Sequence, residues 1–262
     1  MIHFSLTNPS CACPLRILSL GAHPDDLEIG CGGTILKLAE GKRPLNVTWI
    51  VFSGSEERRR EATDSANVFL DQVAKREVIV KEFRDGFFPY TGGEIKEYFE
   101  TLKTRVSPDL IFTHYRHDLH QDHRVISELT WNTFRNHLIL EYEIPKYDGD
   151  MGSPNAFVEL DESTSRRKID TILELFQTQD HRHWFSGNLF LSLLRLRGME
   201  CAAPSGYAEA FYCRKMVLRI EGDDIQTVQQ PIISWRGKIT LKELEGRSIS
   251  VASRHSVPKQ QT

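Results

Sequence analysis

Two short runs hold the residues of this chain whose types and spacing offer chemistry: Ala22-His23-Pro24-Asp25-Asp26 and Asp118-Leu119-His120-Gln121-Asp122-His123-Arg124. Together they can supply two imidazoles and one carboxylate to a divalent ion, with a carboxylate and an imidazole to spare. Two nitrogen ligands, one oxygen ligand and an open position for water describe a catalytic zinc site. The spare Asp and His are what such a site needs to take a proton from water and to return one to a leaving group.

Residues a hundred positions apart meet only if the fold brings them to one place. Leu15 to Leu20 is a short apolar run ending at Gly21, as expected of a parallel strand buried on both faces. Gly30 to Glu40 turns helical, with Gly41 as its stop. Val47 to Phe52 reads as a second strand, and the charged stretch from Glu56 leads into an amphipathic helix through Ala62, Ala66, Phe69 and Leu70. Glu77 to Val80 and Asp109 to Thr113 read as further strands with a helix, Gly93 to Val106, between them. Asp122 to Phe134 reads as a helix, Leu138 to Ile144 as a strand, Ser163 to Phe176 as a helix and Ala210 to Ile220 as a late strand. This alternation predicts an α/β fold, Rossmann-like, with a mostly parallel sheet and helices on both faces. Ligands of such sheets gather outside the carboxyl ends of the strands. The His23 run follows the first strand and the His120 run follows the fourth, so both fall on one rim.

Each group also has a plainer reading. Asp25 or Asp26 could merely cap the following helix, as could Asp118 or Asp122 at the later one; the last two could instead orient an imidazole. Four of the ten histidines lie between His114 and His123, and His120 and His123, three apart at a helix entry, share a face. His114 and His117, in the preceding loop, could be structural or line the substrate, and the structural reading is the one expected. Gly30-Cys31-Gly32-Gly33 invites a phosphate-cradling reading, but Asp25 and Asp26 would repel a diphosphate. The glycines are expected instead to let the helix approach the sheet. The basic run Arg166-Arg167-Lys168 is expected to be a solvated helix face.

The 262 residues, 40% of them hydrophobic, suffice for a sizeable core, and a net charge of −3 gives no electrostatic case for nucleic acid. No run has the length and apolarity of a transmembrane segment, and a secretory leader is not expected. Five irregularly spaced cysteines argue against a disulfide framework, so the cytoplasm is the expected compartment. One catalytic domain over residues 14–220 is expected, followed by a C-terminal extension, 221–262, of unknown role.

The pair Ala-His-Pro-Asp-Asp and His-x-Asp-His resembles the PIG-L/LmbE-like family of zinc-dependent N-acetylglucosaminyl de-N-acetylases. Weaker matches are Arg58-x-x-Glu61, Asp85-Gly86 and Tyr207-Ala-Glu-Ala-Phe211, so that the resemblance covers roughly Leu15 to Phe211. It implies His23, Asp26 and His123 as zinc ligands, Asp25 as general base, His120 as the histidine that stabilises or protonates the tetrahedral intermediate, and Asp122 as its support. It further implies that Arg58 and Asp85 contact sugar hydroxyls. Gln121 departs from the family, many of whose members have Pro there.

The resemblance implies hydrolysis of the N-acetyl amide of an aminosugar or its conjugate to free amine and acetate, with one zinc ion per chain and a small-molecule partner. The alternatives are a metal-dependent amidohydrolase acting on a non-sugar amide, and a non-catalytic sugar- or metal-binding module. Retention of both Asp25 and His120 argues against the second, because holding a metal needs neither.

Overall fold

The computed structural model describes residues 13–217. Apolar runs form the centre of one seven-stranded sheet: β1 (Leu15–Gly21), β2 (Leu45–Ser53), β3 (Lys75–Phe83), β4 (Leu110–His114), β5 (Leu138–Tyr142), β6 (Ala156–Leu160) and β7 (Tyr207–Cys213). The strand order is β3-β2-β1-β4-β5-β7-β6. The first five strands pair in parallel, and β7 runs antiparallel to both β5 and β6. Chain progression reverses between β1 and β4, which makes that crevice the topological switch point.

Helices cover both faces, as the alternation predicted: α1 (Asp26–Ala39), α2 (Glu56–Phe69), α3 (Gly92–Arg105), α4 (Gln121–Thr133), α5 (Glu162–Leu175) and α6 (Gly187–Glu200). Their apolar stripes close two cores on opposite sides of the sheet. One gathers Ile35, Trp49, Phe69, Phe112, Tyr142, Ile172 and Phe211; the other gathers Leu20, Phe52, Phe99, Ile111, Ile126 and Phe134. No helix among the described residues is long and apolar enough to cross a membrane.

Several expectations need correction. α1 starts at Asp26, a turn earlier than Gly30, because the left-handed backbone of Asp25 (φ 94°) turns the chain straight from β1 into the helix. The late strand begins at Tyr207 and ends at Cys213; residues 218–220 of the expected strand, and the extension 221–262, lie outside the described residues. β6 and α6 carried no recognised signal. The basic run on α5 is not one solvated face: Lys168 is 3% exposed, and its Nζ donates to Glu209 Oε1 and to Ile29 O, both at 2.6 Å.

The glycines of α1 act as expected. A Cβ on Gly30 would overlap the Tyr142 ring, so the helix packs against β5 only with glycine there. Gly33 lets Glu209 reach the helix, where its carboxylate accepts from Gly33 N at 2.8 Å and Thr34 N at 2.7 Å. The amides that a phosphate would need are therefore occupied by a side chain of the protein itself.

Candidate metal centre

The end of β1 is fixed before its chemistry begins. Ala22 N donates to His114 Nε2 at 2.9 Å, and Ser53 Oγ donates to Ala22 O at 2.8 Å. His114 thus spends its lone pair on backbone, with Tyr142 Oη 3.2 Å from the same nitrogen, in keeping with its structural reading. His117 is exposed and packs edge-on against Tyr115, outside the cluster. Pro24 restricts the backbone of His23, and Asp26 Oδ2 accepts from His23 N at 2.6 Å.

His23 and His123 face each other across the switch point, with His23 Nδ1 3.1 Å from His123 Nε2. Asp26 lies beside both, Oδ2 3.5 Å from His23 Nδ1 and Oδ1 3.5 Å from His123 Nε2. The outer nitrogen of each ring has a carboxylate. His123 Nδ1 is 2.8 Å from Asp118 Oδ2, and His23 Nε2 is 3.1 Å from Asp122 Oδ2 and 3.2 Å from Asp85 Oδ1. Carboxylates accept, so both outer nitrogens carry N–H, and this turns the lone pairs of the inner nitrogens toward each other and toward Asp26. Two nitrogens and two carboxylate oxygens at such separations require a proton or a cation among them. An edge of a tetrahedron with bonds of about 2.0–2.1 Å measures about 3.3 Å, close to the 3.1 Å between the two nitrogens and to the 3.5 Å from each ring to its own Asp26 oxygen, Oδ2 for His23 and Oδ1 for His123.

The electrostatics put such a proton on His23 and leave His123 neutral. Burial works against charge on His23, but the Asp122, Asp26 and Asp85 carboxylates hold it well above its ordinary value. Burial and the neighbouring His114 push His123 down to about 3, leaving it neutral with a lone pair to give. Two trios bring one ligand atom per residue within 4.8 Å of one another and share the candidate ligands between them: His23, His120 and His123, and Asp26, His114 and His123. The second would take the His114 nitrogen that Ala22 N already occupies. A third grouping, His23 with Asp85 and Asp122, is the carboxylate side of His23 just described.

Asp25 stands apart from these contacts. As N-cap of α1 it makes no side-chain capping bond, so the plain capping reading does not describe it. Burial pushes its carboxyl up to about 7, against the pull of Arg58. Arg58 Nη2 donates to Pro24 O at 2.8 Å and to Asp25 Oδ2 at 3.2 Å, and Nη1 lies 3.7 Å from Asp85 Oδ2. Arg58 therefore faces the centre. Glu61, three residues further along α2, is taken by another partner and accepts from Thr178 N at 2.9 Å and Thr178 Oγ1 at 2.6 Å.

His120 caps α4, its Nδ1 accepting from Asp122 N at 3.3 Å, so Nε2 holds its proton. Its ring centre is 4.8 Å from that of His23 and 4.6 Å from that of His123. Burial and the charge on His23 lower its pKa. The carboxylate of Asp122 is not hydrogen-bonded to His120, although its charge favours a proton there. It turns to His23 and accepts from Gly86 N at 2.6 Å and Phe88 N at 3.1 Å. Two residues escaped the sequence reading: Lys146, 2.9 Å from Asp118 Oδ2, and Asp150, which accepts from Leu119 N at 2.6 Å. Neither lies in a motif.

Fold and site together define a doubly wound α/β protein with a buried His–Asp–His cluster at its switch point. Residues 18–134 match the family profile described as PIG-L: GlcNAc-PI de-N-acetylase, and the resemblance read from the two motifs is borne out. The chain is 26% identical to the uncharacterized deacetylase YaiS of Escherichia coli (strain K12) over 142 residues, 49% of this chain and 74% of YaiS. Its fold is shared with the N,N'-diacetylchitobiose deacetylase of Pyrococcus horikoshii at a TM-score of 0.57 and 22% identity, over 75% of this chain and 82% of that one. It is shared equally with GalB, the 4-carboxy-2-hydroxymuconate hydratase of Pseudomonas putida KT2440, at a TM-score of 0.59 and 16% identity, over 79% and 98%. One fold thus hosts deacetylation and hydration, so the reaction has to be argued from side chains.

Proposed function

We propose that this protein is a zinc-dependent de-N-acetylase, hydrolysing the N-acetyl amide of an N-acetylglucosamine-type aminosugar or conjugate to free amine and acetate. The observation that carries the reading is the convergence of His23 Nδ1, His123 Nε2 and Asp26 around one point, with the His120 ring against both imidazoles and the Asp25 carboxylate free of any capping bond. His23, Asp26 and His123 would hold the ion. A divalent cation in that position supplies Lewis acidity, making water acidic enough to lose a proton near neutral pH and drawing electron density from an amide carbonyl.

The chain's own groups divide the rest of the work. Asp25, raised toward neutrality and steered by Arg58, accepts the proton of the attacking water. His120 presents Nε2–H to the carbonyl oxygen as negative charge develops there, or to the departing nitrogen. Arg58 and Asp85 stand where sugar hydroxyls would meet a donor and an acceptor. The PIG-L resemblance and the deacetylases among the relatives support this reaction over hydration.

The test is amine release from a panel of N-acetylglucosamine derivatives, measured with zinc and after exhaustive chelation. Zinc-restored release from an aminosugar is expected. Release from non-sugar acetamides alone would move the activity to another amide, and no release from any substrate by metal-loaded protein would leave a binding module.

A further inference from the structure

We infer that Gln121 is a positioning residue that locks the Arg84–Phe87 turn, and with it Asp85, against the mouth of the site. The turn closes with Phe87 N donating to Arg84 O at 3.1 Å, and Gly86 at its centre has a left-handed backbone, φ 78°. Both polar groups of Gly86 are then bonded to the first two residues of α4. Its N–H donates to Asp122 Oδ2 at 2.6 Å, and its carbonyl accepts from Gln121 Nε2. A carbonyl only accepts, so the amide nitrogen of Gln121 must be the atom that faces it.

The two bonds are not equivalent. Asp122 also contacts His23, so a change there disturbs the metal centre and the turn together. The Gln121 side chain bonds Gly86 O and is bonded to none of His23, Asp26 and His123, so that bond can be removed while the centre stays intact. Proline at this position has no side-chain donor and would leave the Gly86 carbonyl to water. What the lock controls is the Asp85 carboxylate, 3.2 Å from His23 Nε2 and 3.7 Å from Arg58 Nη1 on a side chain that is 56% exposed. An exposed aspartate on an unrestrained turn would sample many positions, and the lock confines it to one from which it can accept from a bound hydroxyl. The consequence for substrate rests on the aminosugar reading above; the consequence for the turn does not.

Two measurements separate these layers. In hydrogen exchange followed by mass spectrometry, Gln121→Leu is expected to speed exchange of the segment 84–90 at least tenfold without changing bound metal. Gln121→Glu, with the same shape but an acceptor facing a carbonyl, is expected to loosen the segment further. Exchange as slow as wild type in both variants would overturn the lock. In steady-state kinetics with the best N-acetylglucosamine derivative, Gln121→Leu is expected to raise KM about tenfold with kcat within threefold. A fall in kcat at constant KM, in a variant whose turn has loosened, would overturn the substrate role. If wild-type protein releases no amine from any aminosugar, the functional reading fails while the exchange result still judges the lock.

Discussion

Replacing Lys168 with Met takes away the Nζ that donates to Ile29 O and Glu209 Oε1, in a side chain only 3% exposed. Breaking one side of a buried pair typically costs about 3–5 kcal/mol, because the remaining charge stays buried without its partner. Glu209 keeps the amides of Gly33 and Thr34, which places Lys168→Met at the lower end, about 3 kcal/mol. Glu209→Leu strands an ammonium and two amides, so about 5 kcal/mol is expected. The double variant removes both charges and leaves only neutral groups unpaired. It should therefore fall short of the sum of the single effects by at least about 2 kcal/mol. Arg166, two residues away, is the internal control. Its side chain is 70% exposed and pairs with Glu162, 60% exposed, so Arg166→Ala should unfold indistinguishably from wild type. Urea unfolding followed by circular dichroism reads all four, provided the slope m is unchanged. If Lys168→Met unfolds within about 0.5 kcal/mol of Arg166→Ala, the buried pair contributes nothing and the solvated-face reading of the basic run returns.

His123→Ala should lose most of a bound zinc ion and Asp26→Asn should weaken its binding, both measured by metal analysis after dialysis; full occupancy in His123→Ala would remove it from the ligand set. Asp25→Asn should keep the metal and lose orders of magnitude in turnover, since an amide cannot accept the proton of water; a reversal of the Asp25 and Asp26 phenotypes would exchange their roles. Asp161 caps α5 through Thr164 N at 2.7 Å, and its bonds from Ser163 Oγ and Thr164 lower its pKa to about 2. A depressed carboxylate stabilises the fold above its unfolded pKa and loses that contribution as pH falls toward the folded one. Asp161→Ala should therefore cost about 1 kcal/mol at pH 7, and the difference should shrink between about pH 4 and pH 2. A pH-independent difference would point to packing instead.

The central fold was legible because β1 to β5 are apolar runs and α2 to α5 show one-sided patterns, each a local property. What escaped depends on partners far along the chain. α6 carries apolar residues around much of its circumference, yet of its residues only Phe190, Leu194, Arg197 and Gly198 are buried, so no single stripe marks it. β6 pairs only with β7, an antiparallel neighbour about fifty positions later. Lys168 looks like its basic neighbours until Glu209 is brought to it, and Glu61 looks like a partner for Arg58 until Thr178 claims it. The site followed the same division. Its residue types were legible in two short motifs, while the direction of the Asp122 carboxylate, toward His23 and away from His120, was not.

That direction explains the spacing of the second motif better than support of His120 does. Each imidazole facing the centre has its outer nitrogen tied to a carboxylate supplied by the β4–α4 segment: Asp118 for His123 and Asp122 for His23. Asp118, five residues before His123, reaches it from the loop side, and His120 N donates to Asp118 Oδ1 at 2.8 Å, which shapes the entry to α4. Asp122, buried at the first turn, points across the crevice to the His23 ring just after β1 and holds the Gly86 turn with its remaining capacity. The two tautomers are thus set by one stretch of chain, and the inner lone pairs converge as a consequence. On the opposite wall the left-handed backbone of Asp25 costs of order 1–3 kcal/mol for a residue with a side chain. Glycine would relieve that strain but would supply no carboxylate. The fold tolerates the strain because β1, with Ala22 fastened at both its N–H and its C=O, and α1, fastened by Glu209 and Lys168, fix the turn from both ends. A strained aspartate held between two anchored elements has a position that does not depend on a substrate, which is what the proposed role of base asks of Asp25.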